Sequence, residues 1–138
     1  MKSILKIIYS GFVAGIVLLG ISISGLCCTI WFFPGLAEQY FDPAFDAQSD
    51  RYMWFYIHPF IAGLALAWFW ERFKSILRGN FITRGIEFGF IYTIIAIVPM
   101  MWLIYSAISV SFVMVLTWVV LGFVQVIFAG LVFEKMNP

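Results

Sequence analysis

Phe88–Phe133 reads FGFIYTIIAIVPMMWLIYSAISVSFVMVLTWVVLGFVQVIFAGLVF and contains no Asp, Glu, Lys or Arg. As one helix rising 1.5 Å per residue it would be about 69 Å long, more than twice the roughly 30 Å of hydrocarbon in a bilayer. The run must therefore fold back on itself. Ser106, Ser109 and Ser111, following Trp102 and Tyr105, mark the place. The stretch reads as a membrane hairpin with a short turn, with one span at about 86–105 and the next at about 110–133.

Two further uncharged runs lie upstream, Ile7–Phe33 and Tyr52–Trp70. Each reaches the length of about 20 apolar residues that a spanning helix needs. They predict spans at about 7–33 and 52–73, so the 138 residues form a single domain of four transmembrane helices in an antiparallel bundle, an all-α integral membrane protein. Composition agrees, because 64% hydrophobic and 11% charged residues leave too little charge to cover a soluble surface. The basic start, apolar run and Cys27 also raise a lipoprotein leader as a reading. Leu26 is too large for the position before a lipidated cysteine, and the apolar run continues to Phe33, so an uncleaved first span is expected.

Orientation follows from the short loops, where Lys and Arg mark the cytoplasmic side. Lys2 and Lys6 precede the first span, Arg72, Lys74, Arg78 and Arg84 separate the second from the third, and Lys135 follows the fourth. Arg51 stands alone on the other side, among Glu38, Asp42, Asp46 and Asp50. The expectation is a multi-pass protein of the plasma (inner) membrane with both termini cytoplasmic, a basic inner loop at 74–85 and an acidic outer loop at 34–51. In that outer loop, Leu36, Tyr40, Phe41, Ala44 and Phe45 fall beside acids spaced four apart, the pattern of a short interfacial helix. Asp42 before Pro43 has the form of a helix cap. A Ca²⁺ site there would need denser oxygen ligands and a tight glycine turn, so the acids read as a solvated face. Inside, the second helix is expected to run to about Arg78 and end at Gly79-Asn80, with Thr83 capping the third.

Ionisable groups within membrane spans point to function, because a charge at helix centre costs about 2.5–3.5 kcal/mol even on the lenient insertion scale. Here they are sparse. Glu87 lies near the inner start of the third span, within reach of Arg84, and Gln125 lies deeper, where an interhelical hydrogen bond is its expected role. By helical rise, Cys27, Cys28, His58, Met100, Met101 and Met114 fall in one layer about 6–9 Å beneath the outer boundary. Thiolate, thioether and imidazole suit Cu(I), and His with Met also ligates haem. No pair among them has a ligand spacing, however, and methionine fills apolar gaps as a matter of course. No cofactor is expected, with copper or haem as the alternative. Pro59 and Pro99 free the carbonyls of Phe55 and Ile95 at comparable depth, which shapes kinks or hinges around an outward-opening pocket.

Gly11 with Gly15, Gly85 with Gly89, and Gly63 with Ala67 repeat the small-residue spacing that lets membrane helices approach. The chain has no phosphate-binding glycine loop, zinc-ligand cluster, Ser/His/Asp set or paired carboxylate, and nothing that suggests nucleic acid. The favoured reading is a non-enzymatic accessory or interaction subunit, in contact with the lipid bilayer and with another membrane protein or a second copy. A small-solute or ion transport subunit is the first alternative. An outer-leaflet metal, haem or redox site is the second.

Overall fold

The structure, a computed structural model, describes residues 2–43 and 51–138. It is 88% helical, with no strand among the described residues. In chain order come α1 (Lys2–Phe32), α2 (Pro34–Ala37), a 3₁₀ turn (Glu38–Phe41), α3 (Tyr52–Phe73), α4 (Phe81–Tyr92), a π-helical turn (Thr93–Ile97), α5 (Val98–Ala107) and α6 (Phe112–Met136). Four helical stretches are long and apolar enough to cross a membrane: Ser3–Phe32, Tyr52–Phe73, Phe81–Ala107 and Phe112–Met136. Between 17% and 28% of the most apolar part of each is buried, so most of the surface of every span is offered to its surroundings. Exposed Trp31, Phe32, Tyr52, Trp54, Trp102 and Phe112 gather at one end, as rings do at a membrane boundary.

The bundle is built from two antiparallel pairs, α1 on α3 and α4–α5 on α6, joined where α1 lies against α6. Glycine sets both crossings. A Cβ on Gly11 would stand 2.9 Å from the Leu64 Cα, and one on Gly15 the same distance from the Phe60 Cα. Gly63 meets the Gly11 carbonyl and the Gly15 main chain. In the second pair a Cβ on Gly130 would be 3.1 Å from the Gly85 carbonyl oxygen, and one on Gly89 3.1 Å from the Ile127 nitrogen. The spacings at Gly11/Gly15, Gly63/Ala67 and Gly85/Gly89 thus close the bundle itself: backbone lies on backbone where lipid supplies no hydrophobic drive.

The core lies toward the basic end. Trp70, Phe88 and Phe133 are buried and form an edge-on cluster, with Trp70–Phe88 centroids 5.1 Å apart at 77° and Phe88–Phe133 6.2 Å apart at 86°. A polar network caps them. Trp70 Nε1 donates to the Asn137 carbonyl at 3.0 Å, Asn137 Nδ2 to Glu71 at 2.6 Å, and Lys74 Nζ to Asn137 Oδ1 at 3.1 Å, while Ser3 Oγ reaches Glu71 at 3.0 Å. Arg84 pairs with Glu134 at 2.5 Å, donates to the Lys74 carbonyl at 2.8 Å, and holds its guanidinium 5.6 Å from the Trp70 ring centre. All four spans are tied together at this end.

Three expectations about this end are corrected. The helix predicted to run to Arg78 stops at Phe73, where Lys74 N–H closes on Trp70 at 2.8 Å; the chain then leaves the helix and buries Leu77 in the core. The reversal uses Gly79, whose φ of 104° suits glycine. The cap of α4 is Asn80 rather than Thr83: Asn80 Oδ1 accepts from Ile82 N–H at 3.1 Å and Thr83 N–H at 3.0 Å, while the Thr83 hydroxyl donates back to the Asn80 carbonyl. Glu87 does not pair with Arg84, because the glycine crossing of α4 on α6 brings Glu134 to that arginine; Glu87 accepts from Arg78 N–H at 3.1 Å instead.

At the acidic end the turn between α5 and α6 spans Ile108 to Ser111, as the serines suggest, and Ser111 caps α6 by accepting from Met114 N–H at 3.2 Å. In the segment after α1 the described residues form a short helix, α2, followed by the 3₁₀ turn. Asp42 closes that turn in extended conformation, φ −60° and ψ 136°; the helix it was read to cap, with Ala44, Phe45, Asp46 and Asp50, lies outside the described residues.

Candidate functional site

Away from the sealed end the two helix pairs part. Tyr52 to His58 are exposed along α3, no residue of α5 is buried, and α3 makes no extended contact with α5. The parting leaves a cavity of about 390 Å³, floored by Leu18, Leu66 and Val126, with His58, Met100 and Trp118 around its upper part. A second hollow of about 340 Å³, between α1, α3 and α6, shares His58, Trp118 and Gln125 with the first.

Local sequence explains these positions. Pro99 has no N–H to donate and its ring crowds the preceding turn. The chain passes it by widening into the π-helical turn, where Val98 N–H bonds to the Thr93 carbonyl. That widening sets Tyr92, Ala96 and Met100, and beside them Ile97 and Met101, along the cavity wall. Pro59, by contrast, sits in α3 without interrupting it and is buried against the bundle, leaving the adjacent His58 on the open side. Gln125 crosses to α1, donating from Nε2 to Ser22 Oγ at 2.8 Å and to the Leu18 carbonyl at 3.3 Å. The segment after α1 straps the outer edge of α6: Trp118 Nε1 donates to Tyr40 Oη at 2.6 Å, and Ser111 Oγ to Gln39 at 2.6 Å.

The structure separates the soft-ligand layer into distinct places. His58, Met100 and Met101 line the same cavity as Gln125. Cys27 and Cys28 are exposed, and Cys28 borders a different groove of about 300 Å³ between α1 and α6, beside Phe33 and Leu36. Met114 is buried at the head of α6 and lines neither cavity. Glu87 belongs to the basic end. Among the described residues no three of His, Cys, Asp and Glu come together as a metal site.

Two cavity residues were passed over in the sequence, Tyr92 and Trp118. Residue type alone does not set them apart from the many other rings of the chain. Counting along the span would have found Trp118, which stands roughly 12 Å in from Val110 by helical rise. No protein-family model, curated protein or solved structure is detectably similar to the chain.

Proposed function

We propose that this protein is a non-enzymatic membrane helix bundle, an accessory or interaction subunit that engages another membrane component through its open half. The observation that carries this reading is the difference between the two ends. One is closed by Trp70, Phe88 and Phe133 and tied across all four spans, while the other leaves whole faces of α3 and α5 uncovered. Membrane helices gain stability by packing and by interhelical hydrogen bonds, so an unclosed pair of faces is where a further partner adds contacts. The aromatic seal weighs against a pathway through a single copy. The separation of Cys27 and Cys28 from His58 weighs against a combined thiolate and imidazole redox site.

The distribution of Lys and Arg supports placing the basic end, with both termini, in the cytoplasm and the protein in the plasma (inner) membrane. Two measurements test the proposal. Extraction in native lipid particles should co-isolate a membrane-protein partner or a second copy, and contact with it should be lost when bulky charged residues replace Ile61 and Leu103 on the exposed faces of α3 and α5. Reconstitution of the chain alone in liposomes should give no solute flux above empty vesicles; sustained flux would overturn the reading in favour of transport.

A further inference from the structure

The open half carries unpaired hydrogen-bonding groups as well as apolar surface. Among the described residues neither the His58 imidazole nor the Tyr92 hydroxyl has a hydrogen-bond partner, and both line the 390 Å³ cavity. In hydrocarbon no bulk water is present to satisfy such groups, so leaving them unpaired is costly. The cavity walls carry no Asp, Glu, Lys or Arg. An anionic headgroup would therefore meet no cation there, and a cationic one no carboxylate. What the cavity offers is uncharged groups that can each donate as well as accept: the imidazole, the phenol O–H and the Gln125 amide, which also serves Ser22.

Its shape is equally selective. Ala62 and Ala65 on α3 and Ala96 and Gly122 opposite leave small side chains where larger ones would fill the space. The Trp118 indole and the Met100 thioether supply a polarizable border suited to a ring. The volume is near the lower end of the roughly 300–1,000 Å³ that small-molecule pockets occupy, enough for a ring system whose tail leaves between α3 and α5.

We infer that the cavity binds a neutral, lipid-soluble ring compound bearing carbonyl oxygens, of the quinone class, which reaches it from the bilayer between α3 and α5 and accepts hydrogen bonds from His58 and Tyr92. This rests on the reading of the open half as a binding surface, and names a small ligand for it.

The test uses the full chain in lipid nanodiscs with decylubiquinone as probe, and oleate and cholesterol as competitors. Saturable binding is expected, weakened at least tenfold by His58→Phe and by Ala65→Leu, which fills the cavity from an exposed position on α3. Val120→Leu, outside this cavity, should bind as the wild type does, and all three variants should keep the wild-type melting profile. Binding unchanged in Ala65→Leu would mean that the probe merely partitions into lipid, and would overturn the inference. So would saturable binding of oleate or cholesterol with none of the quinone. If the probe fails in either way while the co-isolated membrane partner persists, the ligand is wrong and the interaction reading stands.

Discussion

Gly63→Ala is the sharpest probe of how the bundle is held together. The added methyl would stand 2.8 Å from the Gly15 nitrogen and 3.1 Å from the Gly15 Cα, and closer still to the Gly11 carbonyl oxygen. Ordinary contact begins at 3.4 Å, so α1 must retreat from α3 by well over half an ångström, and every atom in the way is backbone that no rotamer change can move. Overpacking of this kind costs about 1–3 kcal/mol, and rigid neighbours put the cost near the upper end. Alanine recovers up to about 1 kcal/mol of helix propensity over glycine. The expected net loss is about 2 kcal/mol. Gly20→Ala is the matched control, because a Cβ there meets nothing within 4 Å. It should be neutral or stabilising by up to about 1 kcal/mol. Both variants are compared with wild type by SDS titration in mixed micelles, read by circular dichroism and by tryptophan fluorescence. If Gly63→Ala is as stable as wild type, or Gly20→Ala equally damaged, the glycine crossing does not set the packing of α1 on α3.

Replacing Gln125 with Leu removes the hydrogen bond to Ser22. In the same titration it should cost about 0.6–1.7 kcal/mol, the range of interhelical hydrogen bonds in membranes, and the loss should shrink in a Ser22→Ala background to what the Leu18 carbonyl bond alone contributes. Arg84 and Glu134 are paired but incompletely satisfied, since Arg84 Nε and Glu134 Oε2 have no hydrogen-bond partner among the described residues. Arg84→Met alone should therefore cost about 3 kcal/mol by stranding the carboxylate, whereas Arg84→Met with Glu134→Leu should recover most of that loss. Double-variant stability equal to the sum of the two single losses would show that the two side chains act independently.

The helices were legible because charge and length together leave few choices. The run Phe88–Phe133 is too long for one crossing, and the serines between Tyr105 and Phe112 lie in the only polar break it offers. The glycine pairs were legible for a related reason, since small residues four apart mark one helix face whichever helix lies against it. What failed was what depends on tertiary neighbours. Glu87 is three residues from Arg84 and within reach of it along the helix, yet Glu134 meets that arginine from across the bundle. Depth counted along each helix also placed six soft ligands in one layer without saying which way each faced. Met114 turns into the bundle, Cys28 borders the groove between α1 and α6, and His58 faces the cavity. Layer is a property of one helix, whereas convergence on a site is a property of four.

The two ends of the molecule solve one problem differently. Without a hydrophobic drive between helices in lipid, association has to come from close backbone packing and from polar bonds. At the basic end both are present on all four spans: glycine crossings, the Arg84–Glu134 pair, and Asn137 bridging Trp70, Glu71 and Lys74. Toward the acidic end α1 still touches α6 through Gln125, and the strap at Gln39 and Tyr40 holds the edge of α6, but nothing comparable draws α3 to α5. Closing that gap would require larger side chains at Ala62, Ala65, Ala96 and Gly122, or a polar bond from His58 or Tyr92 across it. His58 and Tyr92 stand across it without a hydrogen-bond partner among the described residues. The bundle is thus tied across all four spans at one end and left open between α3 and α5 at the other.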